Sequence, residues 1–183
     1  MLNRFIALIL LILLSPVFLL VALAIILEDG FPVFFKQKRV GVNYTFFPIY
    51  KFRSMKKNTP NVATHLLVNP GQYLLKSGSL LRKLSLDELP NLINIIRGEM
   101  VFVGPRPALY NQDDLMALRV ASGVEQLKPG ITGWAQINGR DEISLEEKVA
   151  YEKEYLQRKT VGFDLKIVLL TFTSVLMSKG VKH

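Results

Sequence analysis

Hydrophobic residues crowd the start of the chain and thin out after it. From Phe5 to Leu27 the sequence FIALILLILLSPVFLLVALAIIL runs for 23 residues without an ionisable side chain. As one straight helix it would extend about 35 Å at ~1.5 Å per residue, enough to cross a hydrocarbon core of ~30 Å. Ser15-Pro16 interrupts the run at its centre. Proline cannot donate to the carbonyl of Ile12 and its ring crowds that turn, so a kink or a break is predicted there. Residues 32 to 55 hold two aromatic and β-branched runs around Gly41 and Asn43, the pattern of a β-hairpin. Residues 56 to 72 are rich in Asn, Thr, Pro and Lys and read as a surface loop.

Further along, a helix is predicted from about Leu86 to Arg97, closed by Gly98. GPRP at 104 to 107 and LKPGITGWAQINGRDE at 127 to 142 are punctuated by Pro and Gly and read as loops. Ser144-Leu145-Glu146-Glu147 has the spacing of a capping box, and a polar amphipathic helix should follow it to about Arg158. The apolar stretch 167 to 177 is too short to span a bilayer. With Lys166 and Lys179 on its flanks it suits an interfacial or packed helix. The pattern as a whole predicts an α+β fold that is mainly helical.

Composition narrows the setting. The 183 residues suit one domain, with room for an appended segment. Lys and Arg number 23 against 15 Asp and Glu, while half of the residues are hydrophobic. A chain both basic and apolar points to a membrane surface with anionic lipids, or to phosphate-bearing partners. The absence of cysteine excludes disulfides and thiolate chemistry. His65 and His183 stand alone, so no His-based metal cluster is expected. A cleaved leader is disfavoured, although Ala22-Leu23-Ala24 imitates a cleavage site, because the apolar run is too long and only Arg4 precedes it. Arg4 before the run and Lys36, Lys38 and Arg39 after it show no strong asymmetry, so the residues leave a spanning helix and a re-entrant hairpin both open.

The candidate chemistry lies in RKLSLDELPNLINIIRG, residues 82 to 98, where Asp87 and Glu88 are adjacent. Ser85-Leu86-Asp87-Glu88 also fits a capping box, so Glu88 could be a cap and Asp87 a partner of the helix dipole; alternatively the helix begins at Pro90. The surroundings favour phosphate chemistry. Arg82 and Lys83 precede the pair, Lys51, Arg53, Lys56 and Lys57 form a basic run, and two prolines restrain Arg106. A carboxylate can attack a phosphoryl group to form an acyl phosphate. Two like charges at about 4 Å repel by about 4 kcal/mol at an effective dielectric of ~20. A cation is therefore required, and Mg²⁺ bridging carboxylate and phosphate oxygens is the usual one.

The SP break, PVFFKQKRVG, YKFRSM, RKLSLDELPNLINIIRGEM, VGPRP and KPGITGWAQINGR occur in that order over nearly the whole chain. Together they resemble the bacterial sugar transferases, the monotopic polyprenyl-phosphate phosphoglycosyl transferases, in the small form that lacks a multi-helix region ahead of the core. The resemblance implies transfer of a sugar 1-phosphate from a UDP-sugar to undecaprenyl phosphate, with release of UMP. It also implies Mg²⁺ as cofactor and a ping-pong course through a covalent phosphosugar intermediate. By this likeness Asp87 is the nucleophile and a metal ligand, Glu88 its partner, and Lys51, Arg82, Arg106 and Asp164 serve phosphate, nucleotide or structural support. The likeness further implies a re-entrant helix broken at Ser15 and Pro16 over residues 1–30, with a catalytic domain of residues 31–183 on the cytoplasmic face of the bacterial inner membrane. The reaction would open a glycoconjugate pathway, with downstream glycosyltransferases as further partners. Two departures are that the family's Asp after the N-terminal basic residue is missing in Arg4-Phe5-Ile6-Ala7, and Phe31 separates Gly30 from Pro32. A catalytically silent membrane scaffold is the rival class. No nucleic-acid partner is expected, since no binding motif accompanies the basic charge. No residue singles out the sugar or an oligomeric state.

Overall fold

The structure, a computed structural model, describes residues 1–60, 68–139 and 143–176. Parts of the expected loops at 56 to 72 and 127 to 142, together with the end of the 167 to 177 segment, lie outside them.

The break in the apolar run falls where the proline predicts. Helix α1 spans Leu2–Leu13 and α2 spans Ser15–Asp29, with Pro16 in the first turn of α2. The two axes are bent by 61°, and among the described residues no single helix is long and apolar enough to cross a membrane, although the pair together is. Ser15 Oγ donates to the Ile12 carbonyl at 2.8 Å, occupying an acceptor that the proline cannot reach.

Both half-helices pack on the rest of the chain. Ala7 of α1 is buried with Phe47, Ile49, Leu92, Ile95 and Met100. Val21 and Ile25 of α2 are buried with Val33, Phe52, Leu75 and Leu81. Their outer faces are apolar yet exposed, as at Leu2, Phe5, Ile12, Leu19, Leu20 and Leu27.

The hairpin forms as predicted, with β1 (Phe34–Val40) antiparallel to β2 (Phe46–Phe52). Arg39 is paired with Phe47, Gln37 with Ile49 and Phe35 with Lys51. Directly paired residues share a face, so Arg39, Ile49 and Lys51 lie on one side of the hairpin. Helix α3, Lys76–Lys83, follows the loop, and its first amides are held by Glu28, whose carboxylate accepts from Ser77 N at 3.0 Å and Ser77 Oγ at 2.7 Å.

The helix expected from Leu86 is divided. Leu86–Glu88 form a 3₁₀ turn, and α4 runs only from Asn91 to Arg97, with Pro90 at its N-cap. Ser85 has φ 54° and makes no capping bond, so the first of the two expected capping boxes does not form. Gly98 ends α4 at φ 83°, and a Cβ there would collide with the Arg4 guanidinium, which locks α1 against α4.

Short elements flank the first punctuated stretch expected as a loop, 104 to 107, and lie within the second, 127 to 142. Strands β3 (Val101–Val103) and β4 (Gly130–Thr132) pair in parallel, with Val101 opposite Gly130. Each has three residues, too few for alternation to reveal. Gly130 is required, since a Cβ would strike the Gly104 backbone. Helix α5 (Asp113–Ala121) lies between them, and the short α6 (Trp134–Asn138) follows β4. The second capping box is present: Glu147 N donates to Ser144 Oγ at 3.1 Å, opening α7 (Leu145–Arg158). The last helix, α8, spans Val161–Leu176, burying Phe163 and Ile167 while exposing Val161, Leu165, Leu169 and Phe172.

Candidate active site

The dyad sits where the hairpin, the 3₁₀ turn and the Pro105–Pro107 segment meet. Lys51, on the inner face of β2, donates from Nζ to Glu88 Oε1 at 2.7 Å. Arg106 Nη1 lies 3.5 Å from the same oxygen. The Glu88 carboxylate is thus engaged by two cations from distant parts of the chain, and this replaces the capping role its spacing had allowed. Arg82, at the end of α3, is held by Ser54 Oγ at 3.0 Å from Nε. Burial lowers the Arg82 pKa from its ordinary value, and the charge of Asp87 opposes that.

Asp87 is 9% exposed. Burial, the largest influence, raises its pKa above the ordinary carboxylate value; Glu88 adds to the rise, and Lys51, Arg82 and Arg106 counter it. Burial leaves this carboxylate poorly hydrated, a property that favours attack on phosphorus.

One residue of the cleft escaped the sequence reading, which weighed the charge of Arg39 only as flanking the apolar run. The register of the hairpin turns it onto the inner face with Lys51. Its Nη1 donates to Pro107 O at 3.0 Å and its Nη2 to Gln37 Oε1 at 2.7 Å, tying the hairpin to the Arg106 segment. Burial, joined by the nearby positive Arg106, lowers its pKa to about 10. The one available signal was its two-residue spacing from Gln37 in a predicted hairpin. Arg39, Lys51, Glu88, Asn91 and Arg106 line an open cleft. Four cations around two carboxylates leave the site positive, which suits a diphosphate.

Behind the cleft, Arg119 of α5 and Glu152 of α7 form a buried bidentate pair at 2.8 and 2.5 Å. Arg119 Nη2 also donates to the Arg106 carbonyl at 2.9 Å and so fixes the Arg106 peptide. Of the residues that the sequence nominated, Lys51, Arg82, Arg106, Asp87 and Glu88 are brought together. Asp164 is engaged elsewhere. It accepts from the buried Tyr155 hydroxyl at 2.8 Å, within the cluster that packs α7 on α8. Burial and that bond raise the Tyr155 pKa.

Among the described residues no three acidic or imidazole side chains converge as a metal site. Mg²⁺ commonly takes one or two carboxylates and completes its shell with substrate phosphates and water, and Asp87 fits that arrangement.

The model of the family described as bacterial sugar transferase matches residues 1–178. The chain belongs to this family. Among its relatives, the uncharacterized sugar transferase EpsL of Bacillus subtilis is 42% identical over 170 residues, covering 92% of this chain and 83% of the relative. The exopolysaccharide production protein ExoY of Sinorhizobium fredii is 40% identical, covering 96% of this chain and 84% of its own. The UDP-glucose:undecaprenyl-phosphate glucose-1-phosphate transferase of Escherichia coli is 40% identical over 95% of this chain, which spans 39% of that protein. This sugar transferase is therefore an enzyme, a phosphoglycosyl transferase.

Proposed function

We propose that this enzyme transfers a sugar 1-phosphate from a UDP-sugar to undecaprenyl phosphate, yielding UMP and a polyprenyl-diphosphate sugar. The observation that carries the reading is the nearly buried Asp87 beside Glu88 in a cleft lined by cations. Asp87 attacks the phosphorus that bears the sugar, and the bond from that phosphorus to the UMP oxygen breaks. The product is a phosphosugar ester of Asp87, with UMP leaving as the anion. An oxygen of undecaprenyl phosphate then attacks the same phosphorus, the acyl–phosphate bond breaks, and the Asp87 carboxylate is restored. Lys51 and Arg106 hold Glu88 beside the nucleophile and, with Arg39 and Arg82, supply positive charge for the diphosphate. Asp87 would hold Mg²⁺, which would supply further charge neutralisation when bound.

The bent helix pair supports a re-entrant seat on the cytoplasmic face of the inner membrane. Arg4 donates to the Arg97 carbonyl at one end, and Glu28 caps α3 at the other. Both ends thus rest on the catalytic body, whereas a spanning segment would separate them by about 30 Å of hydrocarbon. The exposed apolar faces of α1, α2 and α8 supply the contact with lipid.

Incubation with labelled UDP-glucose and Mg²⁺, without lipid acceptor, should leave label on the protein and release UMP. Asp87→Asn should lose the label by more than a thousandfold; equal labelling of both proteins overturns the assignment.

A further inference from the structure

Two asparagines on α4, three residues apart, are both buried, and only one is used by the fold. Asn94 is fully enclosed: its Oδ1 accepts from Tyr50 N at 3.1 Å, and its Nδ2 donates to Pro48 O and Glu99 Oε2, both at 2.7 Å. Asn91 is 2% exposed, yet its Oδ1 has no hydrogen-bond partner among the described residues. Leaving a buried polar atom unmatched is costly, and such atoms call for an explanation. Asn91 lines the cleft that holds Lys51, Glu88 and Arg106, and a second unmatched atom, Arg39 Nε, belongs to a residue of the same cleft. An acceptor and a donor are both waiting there.

We infer that Asn91 recognises the sugar of the donor by hydrogen-bonding one of its hydroxyls. An amide oxygen accepts and cannot serve an ionised phosphate, which has no proton to give, and the cations already serve the phosphates. The sugar is joined through a single oxygen to the phosphorus that Asp87 attacks, whereas the uracil lies beyond a second phosphate and a ribose. Asn91 follows Asp87 by four residues, opening α4 just beyond the 3₁₀ turn and Leu89-Pro90, so the group it meets is the one next to the reacting phosphorus. A hydroxyl both donates and accepts, which matches Asn91 Oδ1 and Arg39 Nε together. The inference rests on the reading of Asp87 as nucleophile toward a UDP-sugar, and it places a determinant of sugar choice where the sequence named none.

The test compares release of the nucleoside monophosphate, UMP or dTMP according to the donor, by the full-length enzyme and its Asn91→Leu variant. The substrates are UDP-glucose, its 2-, 3-, 4- and 6-deoxy analogues, and dTDP-glucose. Leucine is nearly isosteric and removes an unmatched amide, so the melting temperature should hold or rise. Wild type should reject one deoxy analogue by about tenfold or more in kcat/KM, and Asn91→Leu should use that analogue as well as it uses UDP-glucose. If Asn91→Leu does not fold, Asn91→Ala takes its place, and failure of both shows a structural amide and overturns the inference. It is equally overturned if wild type treats all the sugars alike, if Asn91→Leu keeps the wild-type pattern, or if the variant instead changes discrimination between the uridine and thymidine nucleotides. Absence of UMP release by wild type from every member of a UDP-sugar panel, with no label on Asp87, overturns the underlying reading and the inference with it.

Discussion

Two clusters of buried charge flank the Arg106 peptide, and they are built differently. Arg119 and Glu152 are one cation and one anion, 5% and 2% exposed, joined by two parallel hydrogen bonds. The remaining bond from Arg119 goes to the Arg106 carbonyl. Around Asp87 and Glu88, by contrast, two adjacent like charges meet four cations, and the group opens onto a cleft. A matched pair with its geometry filled has nothing left to offer a ligand. The unbalanced cluster carries net positive charge, which an anion entering the cleft would neutralise. The closed cluster also braces the open one, because its arginine holds the peptide that presents Arg106.

The largest effect should come from breaking the closed pair. Arg119→Met leaves Glu152 buried without its partner and should cost about 3–5 kcal/mol in denaturant unfolding of the detergent-solubilised enzyme. Adding Glu152→Leu should restore most of that loss, since no isolated charge remains. A single variant costing under about 1 kcal/mol would break the comparison. Next comes Lys51→Met in the open cluster. Lys51 is the strongest influence holding the Asp87 pKa down, and attack needs the ionised carboxylate. The acid limb of the kcat/KM profile should therefore move to higher pH, with about a tenfold loss at neutrality; an unmoved limb would separate Lys51 from Asp87.

The smallest effect sharpens the contrast through stability. The folded Asp87 pKa lies above its ordinary value of 3.8, so the native state binds more protons than the unfolded one between the two values. The stability linked to this group is complete below the unfolded value and is lost as pH rises through the folded one. Asp87→Asn, free of this titration, should gain melting temperature relative to wild type as the pH is raised from about 3 to neutrality. A gap that is constant or shrinks would show that Asp87 does not carry this penalty.

The two Ser-x-x-Glu sequences show how far local pattern could be trusted. Ser144 to Glu147 lies in a polar stretch where nothing competes, and the capping box forms. Ser85 to Glu88 has the same spacing, but Ser85 adopts a left-handed backbone, and Lys51 and Arg106 take the Glu88 carboxylate. Charge-assisted contacts from other parts of the fold outweigh a cap of about 1 kcal/mol. Strands β3 and β4 were illegible for a related reason: three residues each, they exist through pairing across 29 positions. Arg39 lay within a quoted motif, yet its place in the cleft depends on hairpin register. Asp164 illustrates the converse. Its motif position was visible, and only the fold shows it committed to Tyr155.

What the chain determined by itself was local. The break at Ser15-Pro16, the hairpin around Gly41, the cap at Ser144 and the adjacency of Asp87 and Glu88 follow from backbone sterics and short periodicities. The tertiary structure decided which charges share a cleft and which buried polar atoms lack a partner among the described residues. Those outcomes rest on meetings such as that of Lys51 with Glu88, 37 residues apart, or of Arg119 with Glu152, 33 apart. Electrostatics and desolvation act through space, and neither leaves a period in the sequence.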